Sequence, residues 1–135
     1  MLDTRQKLEA SRIVKASAEQ AAALAPGNDL AWHILGRWHQ EMAALGGAKK
    51  LLAQLIYGDL PEASYAESAR CLEKAATLNP QRLMNQIELG RTYAQMHRDD
   101  EARKFINKGL AMPVREKEDP DSKERGKATL RKLDS

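Results

Sequence analysis

The chain has 135 residues, of which 42% are hydrophobic and only 4% aromatic, and its net charge is +3. One cysteine, Cys71, excludes an internal disulfide framework, and no apolar run approaches the 18 residues of a membrane span. The basic excess is spread thinly along the chain rather than gathered on one tail or face, which argues against nucleic-acid binding; a soluble, cytoplasmic, helix-rich domain is expected from the abundance of Ala and Leu.

The first expected element is a helix over residues 4–25, closed by "EQAAALAP". A second, over 29–45, carries "LAWHILGRW" and ends at Gly46-Gly47. Within the next stretch, Leu51, Leu52, Leu55 and Ile56 recur at helical spacing, which predicts a short helix over about 48–57 before the turn "GDLP". "SYAE" then reads as a capping box in which Ser64 caps a helix over 65–78 and Glu67 reaches back. Helices over 83–96 and 100–111 follow, the latter opened by Asp99-Asp100-Glu101, acids that suit a helix N-terminus. A charged loop and, from Pro120, a mostly polar helix complete the chain, with Leu130 and Leu133 as apolar anchors.

These helices repeat. "EQAAALAP" at 19–26 matches "EKAATLNP" at 73–80, and "LGR" follows nine residues beyond each proline, so the register holds at a shift of 54 residues. From Leu83 onward the order Leu89-Gly90, Tyr93, Ala102, Ile106 and Gly109 fits the tetratricopeptide (TPR) pattern without a gap. In the first copy Trp32, Leu35 and Gly36 fill the corresponding sites, followed by Ser68, Leu72, Ala75 and Pro80. Gly36 and Gly90 let a partner helix approach closely, and Pro80 ends a helix pair. Gly36 and Ser68 are 32 residues apart where Gly90 and Ala102 are 12 apart. The expected fold class is therefore all-α: a TPR helix-hairpin solenoid with a short helix inserted in its first full repeat. One domain spans 1–135, made of a half repeat over 4–25, a repeat over 29–80 with the insertion at 46–63, a repeat over 83–113 and a charged C-terminal cap over 114–135.

"LAWHILGRW", the insertion, and "LPEASYAESARCLEKAATLNP" together resemble the regulator of microtubule dynamics family over roughly residues 14–120. Arg37 and Trp38 of the "LGRW" run and the length of the insertion carry the specific part of the likeness. Ser68 stands where that family usually has Ala, and Leu72 where it has Phe. The resemblance implies a non-catalytic binding domain, with roles tied to microtubules or organelle contacts.

No catalytic constellation is found, so the protein is expected not to be an enzyme and to need no cofactor. His33 and His39 lie about 240° apart around a helix by its 3.6-residue period and do not share a metal; Cys71 reads as an inert helix thiol. Trp32 is expected in the core, with Trp38 less determined. Arg37 and Arg91 occupy one repeat position, which faces the concave groove in TPR proteins. Leu30, His33, Gln40 and Glu41 from the first copy and Met84, Ile87 and Gln95 from the second should share that surface. The expected function is a protein-binding scaffold whose groove holds a protein segment of acidic character. The alternative is a phospholipid-binding module in which the arginines meet the phosphate and Leu51, Leu55 and Ile56 form an apolar gate. In a third arrangement, the arginines simply pair with Glu41 and Glu88. The lysine and asparagine arrangement of a carboxylate clamp for chaperone tails is missing.

Overall fold

The structure is a computed structural model that describes residues 3–45, 51–52, 54–55 and 64–135. Six helices are described: α1 (Thr4–Leu24), α2 (Asp29–Ala43), α3 (Tyr65–Leu78), α4 (Leu83–Gln95), α5 (Asp99–Leu110) and α6 (Asp119–Leu133). The described residues form no strand, and none of their helices is long and apolar enough to cross a membrane.

Local chemistry explains where these helices start. Asp3 accepts from the Gln6 amide while the Gln6 side chain accepts from the Asp3 amide, a reciprocal cap for α1. Asn28 accepts from the Leu30 amide at α2. Ser64 accepts from the Glu67 amide at α3, as the sequence led one to expect, but the Glu67 carboxylate turns outward to Arg70. Pro120 sits in the first turn of α6, where a missing N–H costs nothing.

Each helix packs on its successor, and α6 packs on both α4 and α5. Leu8, Trp38 and Met42 form one buried cluster, Ala18, Ala22, Ala31, Leu35 and Cys71 a second, and Leu72, Leu89, Tyr93 and Ala102 lie within a third. Glycines set the closest approaches. A Cβ on Gly36 would stand 2.5 Å from Leu72 Cγ, and one on Gly90 would stand 2.8 Å from the Ala102 carbonyl oxygen. The turn from α4 to α5 passes through His97, at φ 61°, the left-handed region that non-glycine residues seldom adopt.

Three expectations are corrected by the packing. Trp38 is the buried tryptophan, wedged between Leu8 and Met42, whereas Trp32 is half-buried at the edge of its cluster and donates from Nε1 to the Pro26 carbonyl at 2.9 Å. Ile87, expected on an open groove, is fully buried, because α5 and α6 both close over it: Gly109 of α5 and Gly126 of α6 present backbone to its side chain. In the insertion, Leu51, Leu52, Gln54 and Leu55 are helical, but only Leu52 packs, against the cluster of Leu8, Trp38 and Met42. Leu51 and Leu55 face solvent at 65% and 83% exposure. Gly46, Gly47 and Ile56, with the remainder of that expected helix, lie outside the described residues.

Candidate functional site: a cationic cleft

Helix α4 carries a glutamate in the middle of its buried face. Glu88 sits one turn before Arg91, and its side chain is completely buried. Three guanidinium groups from three helices meet on it. Arg37 of α2 donates from Nη1 to Oε1 at 2.9 Å, Arg91 from Nη1 to the same oxygen at 2.5 Å, and Arg125 of α6 from Nε to Oε2 at 3.1 Å. Burial by itself pushes the Glu88 carboxyl up, but the charges of Arg37, Arg91 and Arg125 outweigh it and hold the carboxyl below its ordinary range. Glu88 is therefore an anion at neutral pH, and it fixes the three arginines in place.

The surrounding bonds fix the arginines further. Arg37 also donates to Gln40 at 2.6 Å and to the exposed Glu41 at 2.8 Å. Arg91 donates to Thr129 of α6, and Arg125 to Ser122. Gln40 reaches on to Thr92 at 3.0 Å, and the Ser68 hydroxyl contacts both Thr92 and the Gly36 carbonyl. That hydroxyl satisfies a backbone carbonyl at a close helix crossing.

A cleft of about 360 Å³ opens over this floor. Arg37, Gln40 and Glu41 of α2, Tyr65 of α3, Arg91 and Gln95 of α4, and Arg125, Thr129, Lys132 and Leu133 of α6 line it. Four cations, Arg37, Arg91, Arg125 and Lys132, stand against two carboxylates, Glu41 and the buried Glu88. The cleft thus keeps a positive excess after its internal ion pairs are formed.

A second cleft, of about 530 Å³, lies between α1 and the other side of Arg37. Ala10 and Val14 of α1, Ile34 and Trp38 of α2 and Met84 of α4 give it an apolar lining, with Lys7, Glu118 and Arg125 among its charged residues. His33 also borders it. Its Nδ1 is 2.9 Å from Asn85 Oδ1, and Asn85 Nδ2 donates to Asp29 at 2.8 Å, so the proton between ring and amide belongs to His33 Nδ1. Burial pushes the His33 pKa down despite the opposing pull of Glu88 and Asn85. Asp29 is also ion-paired to Arg82 at 2.7 Å; burial would raise its pKa, but the Arg82 and Asn85 hydrogen bonds bring it below the usual range.

Of the residues singled out in the sequence, Arg37, Gln40, Glu41, Arg91 and Gln95 line the cationic cleft, and His33, Arg37, Glu41 and Met84 line the apolar one. Leu30 is 37% exposed and borders neither, and Ile87 lies beneath α6. Leu51 and Leu55 line neither of these two clefts, and Ile56 is outside the described residues. Both arginines do pair with Glu88, and Arg37 with Glu41. Arg125, Thr129 and Lys132 were not anticipated; their spacing of four and three residues, which puts them on one face of a polar helix, is the slight signal they leave. Cys71 is buried, and desolvation pushes its thiol up to about 11, so it is not a reactive thiolate.

Fold and site together define an all-helical protein with a cationic cleft between its helices. The sequence profile of the family described as Regulator of microtubule dynamics protein 1-3 matches residues 1–134, and the chain belongs to that family. It is 27% identical over 130 residues to mouse Regulator of microtubule dynamics protein 2, covering 96% of this chain and 32% of that protein. To mouse Regulator of microtubule dynamics protein 1 it is 25% identical over 114 residues, 84% of this chain and 37% of the other. Its likeness to Xenopus laevis Regulator of microtubule dynamics protein 3 is 29% over 76 residues, covering 56% and 16%. The chain spans about a third of the length of the curated mouse relatives it matches. The relatives carry the names of regulators rather than of enzymes.

Proposed function

We propose that the protein is a non-catalytic binding module whose cationic cleft holds an acidic segment of a partner protein. In this reading α2 with α3 and α4 with α5 are two tetratricopeptide hairpins, the first opened by the insertion, and the cleft is their ligand groove. The observation that carries it is the convergence of Arg37, Arg91 and Arg125 on the buried Glu88. Long side chains normally lose rotamer freedom on binding; here that cost is already met within the fold, and Lys132, with the guanidinium N–H groups beyond those bonded to Glu88, Gln40, Glu41, Thr129 and Ser122, is left to meet carboxylates. The relatives' names, those of regulators of microtubule dynamics, support reading this binding as part of such regulation.

The test is fluorescence anisotropy with a fluorescein-labelled octaglutamate peptide. Binding should be saturable and should weaken as salt rises, since part of the attraction is screened at ionic strengths near 0.15 M, where the Debye length is about 8 Å. Lys132→Glu, which leaves the Glu88 cluster intact, should weaken it about tenfold, the equivalent of about 1.4 kcal/mol. Affinity unchanged in Lys132→Glu would refute the reading.

A further inference from the structure

We infer that the two clefts are halves of one bipartite site, which takes an acidic protein segment carrying an aliphatic side chain, and that Glu41 stands in the ligand's place when the site is empty. This deepens the acidic-segment reading above and rests on it.

Three residues, Arg37, Glu41 and Arg125, line both clefts, so the clefts adjoin along one partition. The two halves of the Arg37–Glu41 pair differ in freedom. Arg37 is anchored through Nη1 to the fully buried Glu88, while Glu41, with its side chain 68% exposed, is held among the described residues through Arg37 Nη2 at 2.8 Å. A pair one turn apart on a helix surface contributes little, because water screens it and holding two long side chains costs entropy. A ligand carboxylate arriving at Arg37 Nη2 therefore exchanges one carboxylate for another, and Glu41 swings out into water. That exchange joins the cationic half to the apolar half. Val14 and Ile34 border the apolar half, 48% and 41% exposed, on two different helices. An aliphatic side chain placed there covers them while its acidic neighbours meet Arg91, Arg125 and Lys132. Charge complementarity thus selects an acidic segment, and the apolar half selects one with an aliphatic residue inside its acidic run.

The experiment compares two fluorescein-labelled peptides on the full chain by anisotropy: octaglutamate, and octaglutamate with one leucine inserted at its centre. The leucine peptide should bind about tenfold tighter, because burying an aliphatic side chain is favourable and part of that gain is spent on ordering it. Glu41→Gln should tighten both peptides, since the internal competitor loses its charge. Ile34→Gln should abolish the leucine advantage while leaving octaglutamate affinity unchanged. Val14→Gln, on a separate helix, makes the same reading if Ile34→Gln does not fold. Equal affinity for the two peptides, or no gain in Glu41→Gln, overturns the bipartite site while octaglutamate binding still upholds the acidic-segment reading. No binding of octaglutamate overturns both. A dimer seen by light scattering that Ile34→Gln dissociates would assign the apolar half to a second copy of the chain, and would overturn the inference as well.

Discussion

Arg37 of α2 and Glu88 of α4 are bonded at 2.9 Å across 51 residues of sequence. This contact does more than join two helices, because Glu88 also receives Arg91 from its own helix and Arg125 from α6. Three helices are tied at one carboxylate, and the charge left over faces the cleft.

Replacing Glu88 by Gln removes the anion and leaves three guanidinium groups crowded together. Urea unfolding at pH 7 should show a loss of about 3 kcal/mol, the low end for breaking a buried ion pair, because the arginines remain partly solvated. The acid limb of the stability profile should change too. The Glu88 carboxyl is depressed in the folded state, so its contribution is fully present above the unfolded value of 4.5 and is lost as pH falls through the folded value. The Gln variant should therefore lose less stability than the wild type in that range.

His33 acts in a different pH window. Its folded pKa lies below the ordinary 6.5, so the unfolded chain takes up the proton first. Stability is fully present above 6.5 and declines as pH falls from there toward the folded pKa. Thermal melts between pH 7.5 and 5 should show this decline, and His33→Gln should flatten it. His39 is also depressed, by burial, and contributes to the slope the variant retains.

Gly90→Ala tests the close crossing of α4 and α5. The added Cβ would meet the Ala102 carbonyl oxygen at 2.8 Å and the Ile106 backbone nitrogen at 2.9 Å, and neither can turn aside as a side chain can. Chemical denaturation should register a destabilisation of about 1–3 kcal/mol.

The register of the repeat made part of the site legible in advance. Arg37 and Arg91 fall at one repeat position, and the fold indeed brings both to Glu88. Helix positions were equally readable at Ser64 and Pro120, where the expected cap and helix start agree with the fold. Arg125 was not readable. It lies on a helix with no repeat register and few apolar residues, so which face turns inward depends on Gly126 seating against Ile87 and Ile106. The same seating buried Ile87, whose periodicity alone allowed either an exposed or a covered face. Trp32 is expected in the core and Trp38 is less determined for a related reason: α1 brings Leu8 to Trp38, a long-range contact that spacing on α2 does not announce.

The described residues of the insertion separate into a packed one and exposed ones. Leu55→Gln should change stability by no more than about 0.5 kcal/mol, as expected for an exposed position. Leu52→Ala, which removes packing against Trp38 and Met42, should cost roughly 1–2 kcal/mol, less than a fully buried leucine. Differential scanning fluorimetry of the two variants side by side checks the contrast.

The most direct measurement of the central claim is a proton–nitrogen NMR titration that follows the arginine Nε–Hε signals as octaglutamate is added. The account predicts saturable shifts at Arg37, Arg91 and Arg125, with the Lys132 and Thr129 amides moving in step and the Leu51 and Leu55 amides still. Shifts spread evenly over surface cations such as Arg5 and Lys108, with the three cleft arginines unmoved, would contradict it.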